Sequence, residues 1–529
     1  MSLEKEVYRA FEDVVGPENI SEDPAILDAY AWVGKSAGAK RPVMPGDEKK
    51  DVATFVFAPR FQAVILPKDT LEVQAIVKTC NRRGVKVRAF STGWVGGNVP
   101  GSSHVVLLDL RRMNRILEIN EKNMYAVVEP YVIAAQLQAE LMKKGLNCNV
   151  NGGGAHTSAL PLAAFWGTGH MGQSTSNGER NLLAVEWVTP EGEIVRLGSS
   201  GSSNEWFCGD GPGPSLRGII RGATTPLGGM GVYTKAATKV YHWPGPPVFP
   251  VEGVSPHYGP GAMPPCFMIR YFSFPSFEKL DEAQCKIGES RIAFELMGFP
   301  MSMIAANMAT SNEEEISTFE RLRTQVQGPG FIVIIAGNSQ GDFEYKKRVL
   351  ERITRETDGK SLEIMEDPKI GGAQLWRFIR ISASVRETMR AAGGHFGIFP
   401  GHSQFLSITR FTRKVAEMKG ELQRKGLLVD DGADAFPWTE EHGYIAHAEV
   451  LFRFAPSHES IVGIQGLRKD SVELALHEPA GVPFFATGDQ LHDVFGPVSS
   501  NYHLWLRKIK KAFDPSGTAD SAGYITARD

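Results

Sequence analysis

The sequence predicts an α+β protein of two lobes, on three observations. A β-α-β unit starting near residue 61 leads into short β-rich runs separated by glycine-rich loops. A proline-dense stretch, Trp243 to Pro250, interrupts both helix and sheet. Beyond it apolar strand runs alternate with amphipathic helices, the pattern of one antiparallel sheet covered on one face by helices. Composition agrees, since 529 residues at 42% hydrophobic and 22% charged can bury more than one core. The net charge of −3 supplies no broad basic field for nucleic acid, so a small-molecule partner is expected. Cys80, Cys148, Cys208, Cys266 and Cys285 stand far apart with no C-x-x-C pair, which disfavours a zinc ribbon or disulfide scaffold and suits a reducing, cytoplasmic setting. No run of about 18 apolar residues occurs, so no membrane span is expected. The opening MSLEKEVYRAFEDVVG reads as a charged amphipathic helix rather than an export segment.

Residues 1–60 read as a helical preface, with Ser21-Glu22-Asp23-Pro24 opening a helix through Tyr30 and a surface loop at 34–50. FQAVILP, closed by Pro67, is a strand; Thr70 then caps a helix whose Val73, Ile76, Val77 and Cys80 recur at helical spacing up to Gly84. Val85 to Val87 resumes the strand, which makes parallel pairing available. HVVLLDL, RILEIN and MYAVVEP are short strands, and Ile133, Leu137 and Leu141 mark a helix ended by Gly145. AVEWVTPEGEIVRLG is a hairpin turning at Pro190-Glu191-Gly192. In the second lobe FMIRYFSF, FIVIIAG, LEIM, FLSITRF and YIAHAEVLFRF read as strands, with helices at 277–289, 342–357 and 412–425. A helix from Tyr502 to Phe513 ends at Asp514-Pro515.

Three glycine-rich loops in the first lobe exceed what turns alone require. A pyrophosphate needs several convergent backbone N–H donors, and only small residues let the main chain approach that closely. Phe90 to Pro100 (FSTGWVGGNVP), then VVLLDLRRMNRILEINEKNMYAVVEPYV, then the helix to Gly145, resemble the FAD-binding domain of the vanillyl-alcohol oxidase and p-cresol methylhydroxylase type, which includes the glycolate oxidase flavin subunit. EWVTPEGEIVRLG, GGMGVYTKAATKVY and the terminal KIKKAFDPSG resemble later signatures of the same family. The resemblance implies a two-lobed FAD-binding domain (61–245, with 480–529 returning to it) and a substrate or cap domain at 246–479 with an antiparallel sheet. It implies cofactor contacts at Ser91, Thr92, Gly93, Trp94, Val95, Gly96 and Gly97, at Gly153, Gly154, His156, Thr157 and Ser158, at Gly172, Ser174 and Gly178, and at Gly231 and Val232. Asn98 stands where bicovalent relatives carry a flavin-linking His, which favours non-covalent FAD. The family's terminal "NPG" is here Asp520-Ser521-Ala522.

The chemistry falls to His, Tyr and Arg of the cap. In Glu441-His442-Gly443-Tyr444-Ile445-Ala446-His447-Ala448-Glu449, strand alternation puts His447 and Glu449 on one face with His442 at its mouth. Three readings stand open: a structural His–Glu pair, a general base His447 oriented by Glu449 with Tyr444 nearby, or a divalent metal held by His442, His447 and Glu449, as in some 2-hydroxy-acid dehydrogenases of the family. A carboxylate substrate requires a bidentate partner, for which Arg380 is the candidate beside Arg377. His156 and His170, in the flavin loops, could serve the reduced ring, and His402 reads as structural. The expected reaction is dehydrogenation of a hydroxy acid or related alcohol. The alternatives are oxidation of a para-substituted phenol, a non-redox flavoenzyme like the alkyl-dihydroxyacetonephosphate synthases, or a flavin-binding subunit. Candidate protein partners are an electron-acceptor protein and a second copy of the chain in a homodimer.

Overall fold

The computed structural model describes residues 2–31, 60–93, 99–152, 154–165, 169–198, 214–222, 224–249, 251–252, 259–260, 263–380, 394–398, 404–428, 435–454, 457–478 and 488–528. In the first lobe the strands Val64–Ile65 and Lys86–Phe90 both run parallel to Val105–Asp109, which lies between them, and Ile20–Ser21 closes the far edge. The helix Thr70–Arg83 supplies the crossover. It buries Val73, Ile76, Val77 and Cys80 in one core with Val7, Phe11 and Val15 of the helix Lys5–Val15. The cap of the crossover helix is Asp69 rather than Thr70, because the Asp69 carboxylate accepts from Leu71 N and Glu72 N, both at 2.9 Å. Asp69→Ala is expected to cost about 1 kcal/mol in urea unfolding, the usual worth of such a cap.

A five-stranded antiparallel sheet completes the lobe, in the order Ile194–Leu197, Leu182–Val188, Val232–Lys239, Tyr125–Val128, Ile116–Asn120. Its hairpin turns as read, with Gly192 N donating to Thr189 O at φ 83°. The helix Tyr502–Phe513 returns to this sheet, packing Leu506, Ile509 and Phe513 on its core, with the Phe513 ring 5.3 Å from that of Trp187.

The second lobe is built on a seven-stranded antiparallel sheet: Lys360–Ser361, Phe267–Ser273, Gly330–Ala336, Glu295–Gly298, Ala435–Glu440, Ile445–Phe454, Gly394–Ile398. Helices cover both of its faces, not one. Phe331, Val333 and Ile335 pack with the helices Phe277–Ser290 and Gln340–Glu356, while Ile332 and Ile334 join a second core with the helices Met301–Met308 and Pro368–Arg380. An unbroken apolar run such as FIVIIA is the mark of a strand buried on both sides. Two strand readings fail. FLSITRF begins the 20-residue helix Phe405–Arg424, in which Phe405, Ile408, Phe411, Thr412 and Val415 are buried at helical spacing while Leu406 faces solvent. Its β-branched Ile and Thr imitate a strand only over a window too short to separate the two periods. LEIM is a 3₁₀ turn, Glu363–Glu366.

Candidate functional site

At the C-terminal end of the strand Lys86–Phe90 the chain enters the first glycine loop, with Ser91 and Thr92 half-buried and Gly93 exposed at φ 71°. Trp94, Val95, Gly96, Gly97, Asn98 and Gly153 lie outside the described residues, as does His402. In the second loop Gly154, Thr157 and Ser158 are buried and His156 is exposed. Ser158 N donates to Thr92 Oγ1 at 3.2 Å, so the two loops meet. Gly231, at φ 96°, is required by packing, because a Cβ there would lie 2.3 Å from Val188 O. Val232 points its side chain into the core of the parallel sheet, so a ligand could meet only its main chain.

The loop after Gly169 joins the two lobes. Glu441 N donates to Gly172 O at 2.9 Å and His442 N to Gln173 O at 3.0 Å. Thr439 Oγ1 donates to Gln173 Oε1 at 2.8 Å, Ser176 Oγ to Glu441, and Arg180 Nη1 to Glu441 Oε2 at 2.5 Å. From the cap strand Glu295–Gly298 the buried Glu295 carboxyl accepts from the main-chain N–H of Met171 and Gln173 as well as from Leu296 N at 2.8 Å. Burial pushes the Glu295 carboxyl up to about 8, against the pull of those three donors. Ser174 bonds within the loop, to Met171 O, and the buried Gly178 opens a 3₁₀ turn whose Arg180 reaches Glu441, so both lie on this seam.

Across the seam runs a chain of rings. His447 is stacked on Trp438 with centroids 5.3 Å apart, Trp438 is 6.4 Å from His170, and His170 is 5.0 Å from Phe378. His170 Nδ1 is 2.8 Å from Phe378 O, and burial holds its pKa down to about 4, so the ring is neutral. His447 is fully buried, with Nε2 3.4 Å from Glu449 Oε1; burial raises the Glu449 carboxyl to about 8. The i, i+2 alternation therefore brings this pair together as the sequence indicates.

His442 and Tyr444 do not join it. Among the described residues no three His, Cys, Asp or Glu side chains form a metal-sized cluster, so the metal triplet of His442, His447 and Glu449 is not assembled. His442 sits in a tight turn at φ 60°, its pKa lowered by burial and by Arg291. Tyr444 is 63% exposed and its hydroxyl accepts from Arg291 Nη2 at 2.9 Å, which removes it from the catalytic set. Arg380 reaches the first lobe, donating from Nη2 to Ala135 O at 3.1 Å with its guanidinium 5.4 Å from the Trp376 ring. Burial depresses its pKa while neighbouring Cys148 opposes that shift. Glu295, Glu440, Gln173 and Trp438 are seam residues that sequence reasoning missed. A glutamate at the end of an apolar strand run, as Glu295 opens its strand and Glu440 closes its own, is the one signal that could have marked the first two.

The loops fit FAD. Asn149, Gln138, Asn147 and Gln173 are buried around the second loop, and each keeps one amide atom without a partner among the described residues. Such atoms demand water or a polar ligand. Together with the small residues at 91–93, 154, 155, 157 and 158, these two acceptors (Gln138 Oε1, Asn149 Oδ1) and two donors (Asn147 Nδ2, Gln173 Nε2) suit a polar ligand such as a flavin nucleotide. Residues 61–198 match the family described as FAD binding domain. The chain is 32% identical over 225 residues to 1'-carboxy-chondrochloren decarboxylase of Chondromyces crocatus, covering 40% of this chain and 36% of that protein. It is 23% identical over 372 residues to the probable mitochondrial D-lactate dehydrogenase of Danio rerio, covering 70% of this chain and 63% of that one. The chain thus spans less than two thirds of either relative. Its fold superposes on p-cresol methylhydroxylase with substrate bound at a TM-score of 0.74 and 16% identity, covering 99% of this chain and 97% of that one. Residues 61–198 therefore carry an FAD-binding domain, and the chain as a whole has the p-cresol methylhydroxylase-type fold. No described helix is long and apolar enough to cross a membrane.

Proposed function

We propose that the chain is an FAD-dependent oxidoreductase that dehydrogenates a hydroxy acid or related alcohol at the seam between its lobes. Main-chain N–H groups of Ser91, Thr92 and Gly93 would hold the cofactor non-covalently, with the loop 154–158, tied to Thr92 through Ser158 N, lining it. Bound FAD supplies the hydride acceptor. His447 takes the proton of the substrate hydroxyl, Glu449 orients the imidazole, and Arg380 pairs with the substrate carboxylate. The observation that carries this reading is the His447–Glu449 pair, 3.4 Å apart and sealed under Trp438 against the flavin-lobe loop. The kinship with a D-lactate dehydrogenase supports the substrate class. The electrons would pass on to an acceptor protein or a quinone-like molecule, and a homodimer is the expected assembly.

Anaerobic mixing of the yellow protein with a panel of 2-hydroxy acids and of 4-alkylphenols tests the reading. Bleaching by hydroxy acids alone is expected. A phenol substrate is the second reading, supported by the aromatic run Trp438, Phe378 and Phe299, in which the last two rings are 5.0 Å apart. Bleaching by phenols alone would replace the first reading with it. Arg380→Lys keeps the charge but loses the planar fork, so it is expected to raise KM for a hydroxy-acid substrate about tenfold with kcat little changed. An unchanged KM would remove Arg380 from the substrate.

A further inference from the structure

We infer that Asp520 is a positioning residue for the nucleotide half of FAD, clasping both ends of the first glycine loop. Arg88 stands just before that loop and Gly101 just after it. Asp520 Oδ2 pairs with Arg88 Nη1 at 3.2 Å, with both side chains at most 3% exposed. Gly101 N donates to both carboxylate oxygens, each at 3.1 Å. A Cβ at 101 would lie 2.6 Å from Asp520 Oδ1, so the close approach depends on glycine.

The clasp is itself held in place by main chain. Val87 N donates to Thr518 O at 2.9 Å and Asp520 N to Val87 O at 3.0 Å, which adds the C-terminal tail as a short parallel extension along the strand Lys86–Phe90. The buried Lys510 ties the same tail to another glycine loop, donating to Gly229 O at 2.5 Å and Ala519 O at 3.0 Å while pairing with Asp514. Two chain ends fixed before the ligand arrives leave less conformational freedom to lose on binding, and that difference appears as affinity. Burial pulls the Arg88 pKa down and the Asp520 carboxylate opposes the shift, so each charge needs the other. This position is where the resembling family reads Asn in "NPG". The carboxylate in its place matches the buried arginine. The inference rests on the FAD part of the proposed function and is independent of the substrate.

The test titrates apoprotein with FAD, ADP and riboflavin, and measures the melting of each apoprotein alongside. Asp520→Ala is expected to weaken FAD and ADP about tenfold or more while changing riboflavin by less than about twofold, because on the proposed function Ser91 to Gly93 face the phosphates rather than the ring. Asp520→Asn keeps an acceptor for Gly101 N and is expected to fall between Ala and the native protein. It carries the same comparison if Asp520→Ala does not fold. Equal weakening of all three ligands, or FAD binding unchanged in both variants, would overturn the clasp alone. A native protein that binds neither FAD nor ADP would overturn the flavin reading, and the clasp with it.

Discussion

His447→Ala is expected to slow anaerobic flavin reduction by about 10²–10⁴, the usual contribution of a positioned proton acceptor, while leaving FAD content unchanged. The imidazole is fully buried, stacked on Trp438, and has a carboxyl within 3.4 Å of Nε2. Glu449 sets the pH dependence. Burial raises its carboxyl to about 8, so at neutral pH it is mostly protonated and the pair gains its negative charge only as the pH climbs toward that value. Reduction at subsaturating substrate should therefore rise between roughly pH 6 and 8 and level off above, the apparent pKa belonging to the pair rather than to either residue. Glu449→Gln should flatten that limb and lower the plateau. A His447→Ala protein reduced within threefold of the native rate would assign the pair a packing role. Chelators should leave the rate unchanged, since no described cluster offers three ligands to a metal.

Glu295→Ala is expected to lower unfolding free energy by about 2–5 kcal/mol, because it strands two buried main-chain donors of the loop at Met171 and Gln173. The pH dependence of stability separates this from simple loss of volume. Glu295 is raised from the ordinary value near 4.5 to about 8. A carboxyl raised on folding binds its proton more tightly in the native state, so its contribution is complete below the unfolded value and is lost as pH rises through the folded one. Over pH 4.5 to 8 the slope from this single group is about −1.4 kcal/mol per pH unit. Glu440, from the strand beside it, is raised in the same direction by burial and by the carboxylates of Glu179, Glu441 and Glu295, with Arg180 opposing. Glu295→Gln should keep an acceptor for the loop and flatten the slope. Urea unfolding at several pH values reads both effects, and an equal slope in native protein and Glu295→Gln would mean that Glu295 is ionised throughout.

The two sites differ in how far local sequence reaches. Strand alternation places His447 beside Glu449 because both belong to one strand, and a two-residue period needs no knowledge of the rest of the chain. The glycine loops, the hairpin at 190–192 and the terminal helix are local in the same way. His442 and Tyr444 sit as near in sequence, yet the turn between strands carries them to Arg291 and the surface. The first two turns of the helix Phe405–Arg424 read as a strand, with the helix starting only at 412, because Phe405, Ile408, Thr409 and Phe411 are aromatic or β-branched and only burial against the sheet reveals the helical period.

Residue spacing alone determined the α+β class, the crossover unit, the glycine-rich loops and the His–Glu pair, since each depends on backbone preferences within a few residues, while the flavin reading of those loops came from the family resemblance. Tertiary structure alone decided which side chains meet across the seam: Glu295 with the main chain of Met171 and Gln173, Trp438 between His170 and His447, and Asp520 with Arg88 and Gly101. Apart from the hairpin neighbours Trp438 and His447, these partners lie more than a hundred residues apart. A carboxylate's partner at that separation is fixed by the packing of whole sheets, which no local period records.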